Sequence, residues 1–482
     1  MRERTKESGM EAKPWDRWTV RDRLACVRRF RDLLAGDGVA AARAALPLGT
    51  MESPESLAET LSSQVVPLAE AAKFLERSAE SLLKPRKLSR WGQPVWLAGV
   101  RSEIRREPLG RILILAPGNY PLFLPGVQVL QALVAGNSVL WKPAPGGEAA
   151  AAFMNRLLCL AGVPEGIVRV LGVGVDEFER ALGEGVAKVV LTGSARTGAA
   201  VMERLAPRLV PAVMELSGCD VCYVRHDADL PLAARAIAFG LRLNDGQTCI
   251  APRRIVVHRQ VADAFRALLA AELERLPNVP VPAGISTEKV MENAQLIYGD
   301  STENGWLLPL VVAPQSHDHF LVKTDLFTQI ATWWTVGSDE EMLAGNEFCP
   351  FALGGSVFSR DVGAAWEVAG RMGVGVVVVN DVIVPTADGR VPFGGRGLSG
   401  FGVTRGGEGL LEMTVLKVIQ ERRGRGRHLD GGGGVEFFRR YLEAAHKRSL
   451  AARLSSVYHM TKELLRMAAG RTDRESTNQR SK

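Results

Sequence analysis

From about residue 106 the chain alternates short apolar runs with longer stretches of helical length. RILILAP (111–117) is a compact apolar run, PLFLPGVQVLQALVAG has helical length, and NSVLWKP returns to a strand. The pattern continues through GGEAAAAFMNRLLCLAG (helix), GIVRVLG (strand), DEFERALG (helix), AKVVLTG (strand), SARTGAAVMERLAP (helix) and LVPAVMELSG (strand). Short apolar runs separated by helical segments predict a parallel sheet covered on both faces. A second such region runs from about 253 to 405, with RRIVVHR, ATWWTVG, ALGGSVFSR and GVGVVVVN as strands. The segment before 106 is mostly helical and ends in RWGQPVWLAGVRSEIRREPLG, which reads as a strand pair. After residue 420 come RRGRGRH, a GGGG linker at 431–434 and one long basic helix. Ligands in parallel α/β sheets sit beyond the carboxyl ends of the strands, so the residues just after each strand carry the chemistry.

Composition narrows the class. At 482 residues two or three domains are expected, and 46% apolar with 23% charged residues is the composition of a soluble globular protein. The N-terminal MRERTKESGMEAKPWDRW holds no apolar core segment, so no signal peptide is expected, and no charge-free stretch is long enough to span a bilayer. Six cysteines, at 26, 159, 219, 222, 249 and 349, show no repeating spacing, which suits a reducing, cytoplasmic setting. The net charge of +7 is local: residues 421–482 hold 15 Lys/Arg against 7 Asp/Glu, leaving 45 against 46 in the preceding 420. A near-neutral body excludes general nucleic-acid binding.

Five positions stand out. NDGQTCIAP (244–252) places Cys249 in turn-forming polar sequence after a helical segment, although a free cysteine is more commonly a buried thiol. APGNYP offers the Asn119 amide beside Gly118 at a strand end, where a capped Pro-Gly turn is the plainer reading. Lys142 in WKPAP can reach ribose hydroxyls or phosphate, or simply be an exposed lysine. Gly193-Ser194 in LTGSARTG present free backbone N–H groups at a strand-to-helix junction. Glu215 in VMELSG sits within an apolar strand, where burial raises a carboxyl toward the range of a general base. CDVC (219–222) and the histidines of HDH (317–319) lack the partners a metal site needs, so no metal is expected.

Taken in order, Asn119 in APGNYP, Lys142 in WKP, TGS at 192–194, Glu215 in ELSG, Cys249 in GQTC and the closing PFGGRGLSGFG (392–402) resemble the aldehyde dehydrogenase superfamily over about residues 85–420. The resemblance implies that family's α/β fold, with a Rossmann-like cofactor-binding domain, an α/β catalytic domain and a small oligomerisation strand. The boundaries expected are 1–105 (helical segment and strand pair), 106–219 (cofactor), 220–405 (catalytic), 406–421 (oligomerisation strand) and 422–482 (basic linker and amphipathic tail). It implies oxidation of an aldehyde to a carboxylic acid with NAD or NADP. Cys249 would be the nucleophile and Glu215 the base that activates the hydrolytic water. Asn119, with the Cys249 backbone N–H, would donate to the oxyanion. Ala116, Pro117, Lys142, Gly193, Ser194, Leu216, Asp325 and Phe327 would hold the cofactor. The alternatives are a CoA-acylating or acyl-reducing relative and a non-catalytic cofactor-binding scaffold. Glu215 argues against the acylating relative.

The chain departs from the family pattern at several places. Pro145 stands where a carboxylate usually holds the adenosine ribose, which leaves NAD and NADP both open. TDLFTQI places Asp325 where a longer Glu is usual and Thr328-Gln329 where Gly-Pro is usual, while Phe327 remains. The segment from Cys249 to Asp325 is shorter than usual, with the loss within 277–320, and Gly118 replaces a common aromatic residue. An apolar aldehyde would agree with a site opened at Gly118. EMTVLKVIQ (412–420) occupies the family's oligomerisation strand, implying a homodimer or tetramer. Phe438, Leu442, Leu454, Val457, Tyr458, Leu464 and Leu465 follow helical periodicity in the tail. Such a tail docks on the body or another subunit, or lies on a membrane surface.

Overall fold

The structure, a computed structural model, describes residues 14–462 except 48, 95, 96, 98, 304 and 423–433. Two compact units emerge, one of residues 1–86 with 104–418 and one of 87–103 with 419–482.

The first unit is built on two sheets. In one, the strands run in the order Gly400–Phe401, Ala212–Leu216, Lys188–Gly193, Arg111–Leu115, Ser138–Lys142 and Val168–Val170. All neighbours are parallel except the short Gly400–Phe401 strand, which pairs antiparallel with Ala212–Leu216. Side chains of a strand alternate between faces, and both faces here are apolar. Ile112, Ile114, Trp141 and Val190 pack under the helices Val20–Gly36, Val66–Leu83, Phe123–Ala135 and Glu148–Leu160. Leu113, Leu115, Leu191 and Met214 face the helices Val175–Gly183 and Ala195–Leu205. The Val20–Gly36 helix starts at a capping box in which the Thr19 hydroxyl accepts from the Asp22 N–H and the Asp22 carboxylate accepts from the Thr19 N–H.

The second sheet runs in the order Val279–Pro280, Gly305–Pro314, Ile330–Val336, Pro252–His258, Asp220–Val224, Gly354–Phe358 and Val376–Val379, with Ala294–Thr302 also paired to Gly305–Pro314. Its core strands are parallel. Ile255, Val257 and Trp333 pack against the helices Leu230–Arg242 and Ala262–Leu273, where Phe265 stacks on Trp333 at 5.8 Å. Each such side chain removed from water contributes about 1.5–3 kcal/mol. Within 277–320 the chain forms an antiparallel pair, Ala294–Thr302 with Gly305–Pro314.

Three expectations need correction. ALGGSVFSR is not one strand: Phe351–Ala352 pairs with Arg396–Gly397, while Gly354–Phe358 enters the large sheet. Among the described residues of 90–110, where a strand pair is expected, one strand forms, Val100–Pro108, in a three-stranded sheet with Arg86–Lys87 and Thr414–Arg422. The tail is not one helix. Gly434–His446 ends before Lys447, and a second helical stretch covers 450–462. Ser449 starts it by accepting the Ala452 N–H, and the buried Ser456 hydroxyl donates to Glu443 at 2.8 Å, folding the stretch back. Residues 1–13, 431–433, Leu464 and Leu465, on which sequence readings were made, lie outside the described residues. Among the described residues no helix is long and apolar enough to cross a membrane.

Candidate active site

In the first sheet the chain winds outward from Arg111–Leu115 in one direction, then returns to continue from Lys188–Gly193 in the other. The crevice beyond these two strand ends is the topological switch point at which open α/β sheets bind ligands. A cavity of about 430 Å³ opens there. Pro117 and Gly118 flank it on one side, Gly193 and Ser194 on the other, and Leu216, Asp325 and Phe327 also line it. Ser194 caps the Ala195–Leu205 helix, its hydroxyl accepting the Thr197 N–H at 3.1 Å. The helix start therefore presents N–H groups and a positive dipole end suited to a pyrophosphate. Of the expected cofactor residues, Ala116 and Lys142 do not line this cavity. The half-buried Lys142 amine donates to the Val173 carbonyl at 2.8 Å, and burial lowers its pKa.

Asp325 is buried. One carboxylate oxygen accepts from Arg253 Nε at 2.9 Å and from the Phe327 N–H at 2.8 Å, and the other oxygen has no protein partner. Burial raises its pKa and Arg253 opposes the rise. An orphaned buried acceptor on the wall of a polar cavity fits a hydroxyl-bearing ligand. With the switch-point crevice and the open helix start, these residues fit a dinucleotide.

Cys249 follows an unusual turn. After the Leu230–Arg242 helix, Asn244, Asp245 and Gly246 take φ of 51°, 53° and 74°. Asn and Asp tolerate the left-handed region better than other non-glycine residues, and Gly246 enters it freely. At Gly246 a Cβ would lie 2.7 Å from the Thr328 carbonyl carbon and 2.8 Å from the Gln329 nitrogen. Glu59 accepts from Arg242 at 2.7 Å and from the Asn244 N–H at 2.8 Å. Arg253 donates to the Gly246 and Thr328 carbonyls. The Tyr120 and Thr248 hydroxyls share a hydrogen bond of 2.7 Å. Asn119 donates one amide hydrogen to the Gln247 carbonyl at 2.8 Å, leaving a second on the same nitrogen.

Glu215 is 2% exposed, and its Oε2 accepts from the Thr404 hydroxyl at 2.7 Å while Oε1 has no protein partner. Burial raises its pKa, and Arg405 and the Thr404 hydroxyl pull it back. Burial likewise pushes the half-buried Cys249 thiol up, with the Glu215 and Asp220 carboxylates adding to it. The resting thiol therefore holds its proton until a base removes it. Beyond this pair lies a second cavity of about 190 Å³, walled by Tyr120, Phe123, Phe239, Ile383 and Phe393. Glu215, Cys249 and Leu124 are the residues that line both cavities. Sequence reading missed Thr404 and Arg405, which also lines the second cavity, as well as Arg253 and Glu59. Nothing in their local sequence distinguishes them from surface residues. Of the CDVC pair, both Cys219 and Cys222 are buried, and His317 is stacked between Trp334 and Phe348 at 4.2 and 4.5 Å.

A family model described as the aldehyde dehydrogenase family matches residues 3–419. Among curated proteins, the chain is 28% identical over 373 residues to the 4,4'-diapolycopene aldehyde oxidase of a Methylomonas species, covering 74% of this chain and 70% of that one. It is 29% identical over 430 residues to the NADP-dependent succinate-semialdehyde dehydrogenase of Deinococcus radiodurans, covering 84% and 87%. Among solved structures, betaine aldehyde dehydrogenase from Staphylococcus aureus in complex with NAD+ superposes with a TM-score of 0.75 at 24% identity, covering 86% and 85%.

Two outcomes follow from this geometry. Gly246→Ala should displace the Cys249 turn and slow turnover about 100-fold, since a shift of about 1 Å in a reacting group costs that much. Steady-state kinetics beside a binding titration of the cofactor would check that binding survives. Asp220 is buried beside this site, and burial lifts its carboxyl to about 8. The folded protein thus keeps a proton that the unfolded chain releases near pH 4, so the stability from this group falls as pH rises from about 4 to about 8. Asp220→Asn should raise Tm relative to the parent increasingly between pH 5 and pH 8, measured by thermal denaturation across that range.

Proposed function

This chain belongs to the aldehyde dehydrogenase family, and from that premise we propose that it oxidises an apolar aldehyde to the carboxylic acid through a thioester on Cys249. The enzyme is an NAD(P)-dependent oxidoreductase acting on the aldehyde group. The observation that carries the finer reading is the shared wall: Cys249 and Glu215 line both the switch-point cavity and the apolar one. A carbonyl carbon entering from the apolar side reaches the sulfur while its hydrogen points toward the cofactor side.

In this mechanism Glu215 takes the Cys249 proton, directly or through water, and the thiolate attacks the carbonyl. The free Asn119 amide hydrogen and the Cys249 N–H donate to the oxyanion. A nicotinamide held there would supply the acceptor for the hydride that leaves this carbon as the thioester forms. Pro117, Gly193, Ser194, Leu216, Asp325 and Phe327 would hold that cofactor, with Ala116 and Lys142 at the margin. After the carbon has given up its hydride and Glu215 has released the thiol's proton to solvent, Glu215 removes a proton from water as it attacks the thioester carbon. The carbon–sulfur bond breaks, the acid departs, and Cys249 regains its thiol. Pro145, on the cavity wall, offers no carboxylate to repel a 2′-phosphate, so the site accommodates NADP as well as NAD.

The aromatic and aliphatic walls of the second cavity support an apolar substrate, and a relative acting on a diapolycopene aldehyde agrees with them. Self-association through Thr414–Arg422 is part of the proposal: Val415, Leu416 and Val418 on that strand are 45%, 54% and 58% exposed. The exposed Leu442, Leu450 and Leu454 of the basic tail support contact with a membrane surface, where such substrates gather.

Cys249→Ala should abolish aldehyde-dependent reduction of NAD or NADP while cofactor binding persists. Glu215→Gln should lower steady turnover by at least about 100-fold. Across linear aldehydes kcat/KM should rise about threefold to fourfold per added methylene until the apolar cavity is filled, at about 0.8 kcal/mol per buried CH₂. A flat series, or turnover in Cys249→Ala, would overturn the reading. Light scattering should give at least a dimer, and replacing Leu416 and Val418 by Lys should shift it to the monomer.

A further inference from the structure

Three carboxyl groups act on the Cys249 sulfur: Glu215, Asp220 and Asp325. Two have their own compensation. Asp325 pairs with Arg253 at 2.9 Å. Asp220 accepts the Gly354 N–H at 3.1 Å and feels the Arg254 charge. Tyr120, the other titratable neighbour of the sulfur, has its hydroxyl bonded to Thr248. Among the described residues, the cation that acts on both Glu215 and Cys249 is Arg405.

Arg405 is 4% exposed and lines the apolar cavity together with Cys249 and Glu215. Among the described residues its hydrogen bond and ring contacts are to neutral groups. Nη1 donates to the Thr386 carbonyl at 2.6 Å, and the guanidinium lies 4.1 Å from the centre of the Phe393 ring and 5.6 Å from that of Phe123. Nε has no protein partner. The backbone at Arg405 takes φ 61° and ψ 175°, a sparsely populated conformation for an L-residue that persists only where the surroundings enforce it. The residue before it, Thr404, donates to Glu215 at 2.7 Å. A buried cation with only neutral contacts is expensive unless a negative charge stands near. The working pair supplies one: with a single proton shared between sulfur and carboxyl, Cys249 and Glu215 together carry one negative charge, whichever holds it.

We propose that Arg405 is the standing counter-ion of the Cys249–Glu215 pair, a positioning residue that keeps one proton, and so one negative charge, on the two groups in the free enzyme. This rests on the reading of Cys249 as nucleophile and Glu215 as base. The same cation balances the carboxylate, the thiolate and the oxyanion in turn, so the charge moves among them without leaving the cation's field. Without it the pair takes up a second proton, Glu215 becomes neutral, and the thiol loses its base. Direction agrees at each group: Arg405 lowers the pKa of both Glu215 and Cys249, and both raise that of Arg405 against burial.

The test measures alkylation of Cys249 by iodoacetamide from pH 6 to pH 10 in the full-length protein, followed by peptide mass spectrometry, with kcat over the same range. In Arg405→Met the rising limb of both profiles should move up by about one unit or more, making alkylation at pH 7.5 about tenfold slower. Arg405→Lys, which keeps the charge and loses the planar stack, should hold the limb near the parent's even where Tm falls. Should the Met variant fail to fold, Arg405→Gln replaces it. A charge-removing variant with the parent's limb, changed only in Tm or KM, would overturn the proposal. So would a Lys variant shifted as far as the neutral one. Failure of the underlying reading looks different: alkylation that stops turnover would map to another cysteine, or Glu215→Gln would leave the Cys249 profile unmoved.

Discussion

One buried guanidinium joins the segments on which the site depends. Arg253, at the start of the Pro252–His258 strand, is 4% exposed and reaches the Gly246 carbonyl, the Thr328 carbonyl and the Asp325 carboxylate. These belong to the turn before Cys249 and to the loop that carries Phe327 toward the cofactor cavity. The planar fork of an arginine presents several donors in fixed directions, which a flexible ammonium does not. Both loops are thereby referred to the second sheet, and the distance from the sulfur to the cofactor side is set by that sheet and not by loop flexibility. The left-handed run at Asn244, Asp245 and Gly246 is tolerable because Arg253, Glu59 and Asn119 occupy the polar groups it exposes.

The site concentrates charge where charge is expensive. The side chains of Glu215, Asp220, Asp325 and Arg405 are buried around one sulfur, and Arg253 and Arg254 are buried on the Pro252–His258 strand that follows it. Burial raises the pKa of each carboxyl, and the cations decide how far. The outcome is differentiated. Asp325 is pinned in an ion pair, Asp220 is held by a backbone N–H, and Glu215 keeps one oxygen without a protein partner. Asp325 also keeps a free oxygen, but its other oxygen is committed to Arg253, whereas the Glu215 carboxyl bonds only a neutral hydroxyl and lines both cavities with the thiol. Structural and chemical roles thus separate among residues of the same type by their hydrogen bonds.

Much of the fold was legible in the chain because period-2 and period-3.6 patterns report burial directly. RILIL must be buried on both faces, as Ile112 and Ile114 are against one helical layer and Leu113 and Leu115 against the other. The tail was less legible. Its helical periodicity runs on past Lys447, and only the Ser449 cap and the Ser456–Glu443 hydrogen bond turn one helix into two. In ALGGSVFSR a continuous strand-like run is divided between two sheets, which periodicity does not register.

At the site the same division holds. The sequence alone determined which strand ends meet at the switch point, because alternation and strand order follow from local pattern and chain direction. It also placed Asn119, Glu215 and Cys249 on segments that converge, through ordered motifs whose residue types suit the chemistry. Tertiary structure alone decided that Arg253 and Arg405 are buried, that Asp325 spends its charge on Arg253, and that Lys142 faces a carbonyl outside the main cavity. A charged residue beside glycines reads as solvent-exposed when only its neighbours in the chain are known. Its burial depends on partners about 20 to 190 residues away, such as Thr386 for Arg405 and, through Thr404, Glu215. Electrostatic energy depends on distance in space, and no local pattern of residues encodes it.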